Sequence, residues 1–428
     1  MAFFLRGKTM PQMKKLTALT ILATGMSSFA IAPAALAEDA FFDALTGGKA
    51  SFSARLRYES VEQDNALKDA DALTLRTTLG YKTGAFHGFS GFVEFEDVSD
   101  IGSAKFNSLT NGETDYSVVA DPDGTEVNQA YLAYNGFDTE VKFGRQEITY
   151  RDAPFHRFIG NVLWRQNHQS FDAFSLSNTS LADTKISYAY INKVHTIFGD
   201  DRDAPAIFVK DGDTDMNSHL FNIQYSGLPI GKLEGYSYLL DYSDAPDDNK
   251  FSTATYGLRL SGAQAVSDAA KVIYTAEYAT QDDYKDGEMD QQDYYLLELG
   301  GKYKGWLAKV SYEVLEGDGT DSFQTRLGTN HAFQGWADQF LTTPEQGLED
   351  LYFTVAGNVL GAKLVVVYHD FETDEGSLDA GSELDILLEK TFKEHYTVGV
   401  KYADYNADSE FPSLVDTEKF WVYGQVKF

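Results

Sequence analysis

The stretch Phe52-Ser53-Ala54-Arg55-Leu56-Arg57-Tyr58-Glu59 changes between apolar and polar at nearly every step. A period of two belongs to an extended strand whose two faces meet different media. One face carries Phe52, Ala54, Leu56 and Tyr58; the other carries Ser53, Arg55, Arg57 and Glu59. The pattern returns along the chain. Leu73, Leu75, Thr77, Leu79 and Tyr81 form one such series, and Tyr236, Tyr238, Leu240 and Tyr242 another. Trp306, Ala308, Val310, Tyr312 and Val314 form a third, and Tyr396, Val398, Val400 and Tyr402 a fourth. Each run is about ten residues, the length of a tilted strand that crosses a bilayer.

Counting these runs gives about 18 candidate strands, an even number as closed membrane barrels require. They start near residues 51, 72, 89, 127, 139, 170, 184, 219, 232, 254, 270, 293, 306, 350, 360, 382, 396 and 419. The joins after even-numbered strands are short, as at 83–88, 135–138, 227–231 and 304–305. Those after odd-numbered strands are mostly longer and acidic, as at 97–125, 193–218 and 281–292. The expected fold is therefore all-β: a transmembrane antiparallel β-barrel with short periplasmic turns and long acidic extracellular loops. The final run, Phe420, Val422, Gly424, Val426 and Phe428, ends the chain on an aromatic. A terminal aromatic on an alternating strand is the signal read by the outer-membrane barrel assembly machinery, so Phe428 is expected to act in assembly.

Composition agrees with this and removes other classes. The 428 residues hold 65 Asp plus Glu against 35 Lys plus Arg, a net charge of −30. Nucleic acid is excluded as a partner. With no cysteine, thiolate metal sites, catalytic thiols and disulfides are excluded too. No cofactor and no metal is expected. The 26 Tyr and 30 Phe beside only 9 Pro suit strands with aromatic girdles.

Residues 1–37 read as a secretory signal peptide. Arg6, Lys8, Lys14 and Lys15 make a basic start, an apolar run spans Leu16 to Leu36, and Ala35-Leu36-Ala37 precedes Glu38. Its removal leaves 38–428 as one barrel domain with a net charge of −34. No later run approaches the roughly 18 apolar residues of a membrane helix. The expected location is the outer membrane of a Gram-negative bacterium, in contact with lipid and lipopolysaccharide.

Most external joins are acidic, with Asp200, Asp201, Asp203, Asp211, Asp213 and Asp215 in one and Asp282, Asp283, Asp286, Glu288 and Asp290 in another. They read as a solvated rim or as divalent-cation sites beside lipopolysaccharide. Asp211-Gly212-Asp213-Thr214-Asp215 begins like a calcium loop, but it lacks the sixth-position glycine and has Asn222 where the glutamate belongs.

The third external join, 149–169, reverses the sign. It holds Arg151, His156, Arg157, Arg165 and His168 against Asp152, together with Phe155, Phe158 and Trp164. Basic and aromatic, it invites comparison with porin third loops that fold inward as a constriction. Seven of the ten arginines beyond the leader, Arg55, Arg57, Arg76, Arg145, Arg151, Arg157 and Arg165, fall between residues 55 and 165. If they face inward, they line a substrate path. The other reading pairs several of them with Glu59, Glu94, Glu96 or Glu147 as structural ladders. Arginine suits a path for anions because its fork holds carboxylates and never loses its charge. Several weak sites in file let a solute enter and also leave.

Two segments resemble the alginate-export family of outer-membrane porins. One is Phe143-Gly144-Arg145-Gln146-Glu147, continuing to Trp164-Arg165-Gln166-Asn167-His168-Gln169-Ser170-Phe171-Asp172. The other runs from Leu327 through His331, Trp336 and Asp338 to Phe340, followed by Pro344, Gly347 and Asp350. The resemblance covers roughly residues 50–428 and implies an 18-stranded barrel. The family's namesake exports alginate, a polyuronate, through an arginine-rich pore. Arg145 and the Arg151–Arg165 loop match the family's basic region in character and are the candidate solute contacts. His331 reads as a packed or hydrogen-bonded group, with Trp336 and Phe340 seating its loop against the barrel.

The leading expectation is a passive channel for small or oligomeric anionic solutes such as acidic sugars. A second is an export pore for an anionic, alginate-like polysaccharide, and a third is a non-catalytic adhesive or structural barrel. An enzyme is not expected: His156, His168, His195, His219 and His331 are present, but no spacing marks a nucleophile. The sequence carries no marker of oligomeric state.

Overall fold

The computed structural model describes residues 34–199, 212–243 and 251–428. The expected leader lies outside these apart from its last four residues, which open helix α1 (Ala34–Thr46). Asp200, Asp201, Asp203 and Asp211 also lie outside the described residues. After α1 come β1 (Lys49–Gln63), β2 (Ala70–Lys82), β3 (Phe89–Asp100), β4 (Gly124–Gly136), β5 (Thr139–Gln146) and β6 (Ser170–Asn178). Then follow β7 (Thr184–His195), β8 (Asp213–Leu228), β9 (Gly231–Leu240), β10 (Thr253–Ser267), β11 (Ala270–Asp283) and β12 (Gln292–Tyr303). The last third holds β13 (Trp306–Leu315), β14 (Leu348–Val359), β15 (Ala362–Glu372), β16 (Asp379–Phe392), β17 (Tyr396–Asn406) and β18 (Thr417–Lys427).

All 18 strands pair antiparallel with their sequence neighbours in one sheet. The sheet closes where β1 meets β18, in a register running from Ser53 opposite Lys427 to Gln63 opposite Thr417. Phe52 and Phe428 complete the seam, with the Phe428 N–H donating to the Phe52 carbonyl at 2.9 Å and the Phe52 N–H returning one at 3.2 Å. Closure satisfies every edge, the condition for a sheet to stand in hydrocarbon.

Burial runs opposite to that of a soluble protein. On β1, Arg57 and Glu59 are each 1% exposed while Leu56, next to Arg57, is 43% exposed. Leu132, Leu297, Phe353 and Val398 are likewise exposed on the outer face. This is an apolar band facing lipid around a polar lumen. Aromatic residues mark both ends of the band. Tyr278 and Tyr312 reach up to Asp293 and Glu349, and Phe392, Tyr396 and Phe428 sit exposed at the short-turn rim.

Two strands depart from the expected pattern. On β9, Tyr236, Tyr238 and Leu240 are buried and face the lumen, because the third loop brings Phe158 and Tyr150 against them. β8 starts six residues earlier than its alternation indicated, at Asp213. The reason is Lys193 of β7, which binds Asp213 at 2.7 Å and Asp215 at 3.2 Å and so prolongs the ladder. Those two aspartates, read as part of a calcium-like run, hold a lysine. Among the described residues no group of His, Asp and Glu is placed to hold a metal ion.

Candidate functional site: a loop-filled lumen

Three long external joins enter the barrel: L2 (101–123), L3 (147–169) and L7 (316–347). L2 packs Phe106 and Val119 on Val61, Ala70 and Ala72 of the β1–β2 wall. L3 sets Ile148, Phe158 and Ile159 into an apolar cluster with β6–β12, where Phe323 and Leu327 of L7 join it. L7 then seats Ala337 and Phe340 on Phe371, Ala403, Tyr405 and Trp421 of β15–β18.

L3 and L7 meet backbone to backbone. The Gly160 N–H donates to the Leu327 carbonyl at 2.8 Å, and the Thr329 N–H to the His156 carbonyl at 2.8 Å. Glycine permits this approach. A Cβ on Gly328 would stand 2.2 Å from the Arg157 carbonyl oxygen, and one on Gly160 2.4 Å from the Thr329 hydroxyl.

The lumen is divided by sign. Lys401 of β17, Lys419 of β18, Arg55 and Arg57 of β1 and Arg76 of β2 form a basic strip over four adjacent strands. The acids occupy the wall from β9 to β16: Glu234 of β9, Glu277 of β11, Glu313 of β13, Asp350 of β14 and, on the strand next to Lys401, the pair Glu383 and Asp385 of β16, all buried. L3 spans the two. Arg151 binds Glu234 at 3.3 Å and Glu277 at 2.5 Å, and Arg157 binds Glu313 at 3.1 Å and the Gln334 amide oxygen at 2.7 Å. Arg165 turns back to Glu59 at 3.2 Å and reaches Asp338 of L7 at 2.8 Å. On the basic side the backbone of L3 supplies the acceptors. Arg55 donates to the Leu163 carbonyl at 3.0 Å and also to that of Arg165, and Arg57 to the Trp164 carbonyl.

The strip is assembled against a local cost. Arg55 and Arg76 stand directly opposite each other in the β1–β2 register, and like charges in that position repel. Each is drawn away by other partners: Arg76 by Glu96 at 2.6 Å, and Arg55 by the L3 carbonyls and the Gln166 side-chain oxygen at 2.8 Å. Arg57 holds Glu59 at 3.1 Å and also Asp121 of L2. Arg145 differs from the other six. It lies opposite Ala130 and Asp172 on the outward side of β5, whereas Gln146 beside it is buried inward. Arg145 pairs there with Asp172 at 3.1 Å and stays apart from the lumen group.

The residues singled out in L7 form a knot at the constriction. His331 stacks on Trp164 of L3 with ring centres 4.4 Å apart and bonds Asp338 at 2.6 Å through Nδ1. Its Nε2 contacts Lys401, whose ammonium stands 3.9 Å from the Trp164 ring centre and 3.7 Å from that of Trp336. Phe340 packs on Phe371 at 4.7 Å. Burial pushes His331 well below its ordinary value. Burial alone would raise the Asp338 carboxyl, but His331, Lys419 and Arg165 outweigh it and hold it well below. Lys401 and Lys419 were absent from the sequence reading. The inward face of β17 and β18, which alternates with Val398, Val400, Phe420 and Val422, was the signal that could have found them.

A closed 18-stranded antiparallel barrel with an apolar outer band and a charged, loop-filled lumen defines an outer-membrane channel of the porin type. The chain belongs to the alginate export family, whose model matches residues 49–341, from the first strand through most of L7. No curated protein sequence matches it. Its fold is similar to that of OccAB4 from Acinetobacter baumannii, with a TM-score of 0.68 and 14% identity over 89% of this chain and 98% of that one. OccAB2 from the same organism gives 0.68 and 16% identity, covering 90% and 99%. Pseudomonas aeruginosa OpdK with vanillate gives 0.67 and 13% identity, covering 90% and 99%.

Proposed function

We propose that this barrel is a passive channel for small or oligomeric anionic solutes, acidic sugars among them. The observation that carries the reading is the strip Lys401, Lys419, Arg55, Arg57 and Arg76 beside the carboxylate wall of β9–β16. A cation and a carboxylate at about 4 Å with an effective dielectric near 20 attract by roughly 4 kcal/mol before desolvation. An anion passing the strip exchanges with the L3 carbonyls and carboxylates already there, so each site binds weakly and releases. The opposing acids keep the ladder from becoming a trap. Arg151, Arg157 and Arg165 hold the L3 constriction, and Arg145 lies outside the path.

L3 and L7 both occupy the lumen, which favours small solutes over a polymer and sets this reading ahead of polysaccharide export. Residues 1–37 serve as the export leader, 38–428 as the mature barrel, and Phe428 as the mark for the assembly machinery. The test is the reversal potential of the purified barrel in a planar bilayer under a salt gradient. Anion preference that weakens in Arg55→Gln and Lys419→Gln is expected, together with current block by uronate oligomers. Clear cation preference overturns the reading, and no conductance at all favours an adhesive or structural barrel.

A further inference from the structure

The lipid-facing wall is hollowed on one side. A groove of about 720 Å³ runs over the outer face of β10–β14, below the external rim. The register explains it. Ala276 of β11 stands opposite Leu260 of β10 and Leu297 of β12, on the outward face of the sheet. One row higher Tyr278 faces Tyr295, with ring centres 5.4 Å apart, and Val314 of β13 follows. A single methyl where its neighbours are leucines and tyrosines leaves a depression with apolar walls. The floor lies within the band that meets hydrocarbon, so an acyl chain is what reaches it.

The upper end of the groove is acidic. Glu316, Glu349 and Asp374 line it, and Asp293 stands beside them, its backbone N–H donating to Glu316 at 3.1 Å. Tyr278 and Tyr295 donate to Asp293 at 2.9 and 3.2 Å, and Tyr312 to Glu349. Among the described residues no lysine, arginine or histidine pairs with any of these four carboxylates. Burial, with the Asp293 and Asp374 carboxylates nearby, pushes Glu316 up. A positive charge at this end would relieve that repulsion. Among the described residues no three such side chains converge on a metal ion. An ammonium asks less, since its three N–H donors can take separate acceptors. An anionic headgroup would meet like charge here. A second copy docked face to face about a two-fold axis would set one acidic crown against the other.

We propose that this groove binds an acyl lipid with an ammonium headgroup, its chain lying over Ala276 between Leu260 and Leu297 and its ammonium among Glu316, Glu349 and Asp374. The site lies on the opposite face of the wall from the lumen, so it stands whatever solute the channel passes.

The experiment offers the purified full-length barrel equal amounts of phosphatidylethanolamine and phosphatidylglycerol with the same acyl chains, and native mass spectrometry reads how much of each stays bound. Phosphatidylethanolamine is expected to be retained severalfold over phosphatidylglycerol. Glu316→Gln combined with Glu349→Gln keeps the hydrogen-bond acceptors, removes two charges and should equalise the two lipids. Ala276→Phe fills the floor and should lower retention of both. Asp64→Asn with Asp69→Asn takes the same charge from the β1–β2 join on the far side of the barrel and should leave the preference intact. Equal retention by the wild type, a preference that survives the glutamate variant, or retention unchanged in Ala276→Phe overturns the site. An equal loss in the Asp64 and Asp69 variant overturns it too, by assigning the preference to net charge. Phosphatidylglycerol held in preference once magnesium is added would replace the ammonium with a cation-bridged phosphate.

Discussion

Arg165 of L3 and Asp338 of L7 meet at 2.8 Å inside the barrel, and both side chains are buried. Through this pair two loops more than 170 residues apart in sequence are joined. Arg165 also holds Glu59 of the wall, while Asp338 also holds Lys419 at 3.0 Å. Removing one partner of a buried ion pair costs about 3–5 kcal/mol, because the other charge is left without compensation. Arg165→Ala is expected to loosen both loops and to raise single-channel conductance and current noise. In a double-mutant cycle with Asp338→Ala, the loss of thermal stability should fall well short of the sum of the single losses. Additive losses would mean that the two residues act separately.

The close approach of the loops makes a second test. Gly328→Val would drive a branched side chain into the Arg157 carbonyl, where even a Cβ has only 2.2 Å. Overpacking of this sort costs about 1–3 kcal/mol. The barrel is expected to fold with L7 more open to protease and with faster hydrogen exchange at Gly160 and Thr329. Protection equal to the wild type would show that L3 and L7 shift together without parting.

Acid should release the third loop late. Glu147, the first residue of L3, accepts hydrogen bonds from His168 at 2.8 Å and Asn128 at 3.2 Å, and another from Asn161. Burial would raise its carboxyl, but His168, Asn161 and Asn128 together bring it down to about 2. A depressed carboxyl contributes stability that is complete above its unfolded value, about 4.3 for glutamate, and is lost as the pH falls to the folded value. Conductance is therefore expected to stay level from pH 7 to about 5 and to change between about 4 and 2. Glu147→Gln should flatten the change, and a transition above pH 5 in the wild type would exclude Glu147 as its source.

Phe428 closes the seam with Phe52 and touches the His395 ring at 5.1 Å between centres. Deleting it removes two hydrogen bonds at the rim and nothing in the lumen. The expected outcome is a lower yield of folded barrel in cells, scored by heat-modifiable gel mobility, with unchanged conductance of the molecules that do assemble. An unchanged yield would place the assembly signal elsewhere in β18.

Strand number, order and most starts, though not that of β8, were legible because membrane strands obey a local rule. Leu56 must meet lipid and Arg57 must not, and that alternation needs no knowledge of the partner strand. Where the rule failed, distant contacts were responsible. Tyr236 and Tyr238 turn inward because Phe158, some 80 residues earlier, supplies an apolar surface within the lumen. The basic third loop was visible as a reversal of charge, but its direction was not. Arg151 and Arg157 of L3 turn to Glu234, Glu277 and Glu313, on three strands that no local pattern connects with the loop. Arg145 looked like the others and fell on the outward side, since a register seen only across β4–β6 decides its face.

By itself the sequence determined a closed barrel of 18 strands, its two unlike rims and the sign of each loop, all properties carried by a two-residue period and by composition. Only the tertiary structure decided which charges meet. Lys401, Lys419, Arg55, Arg57 and Arg76 become one strip because closure sets β17 and β18 beside β1 and β2. Coulombic attraction falls with distance in space and is indifferent to separation along the chain. The first and last strands of the barrel therefore had to meet before the lumen had a basic side at all.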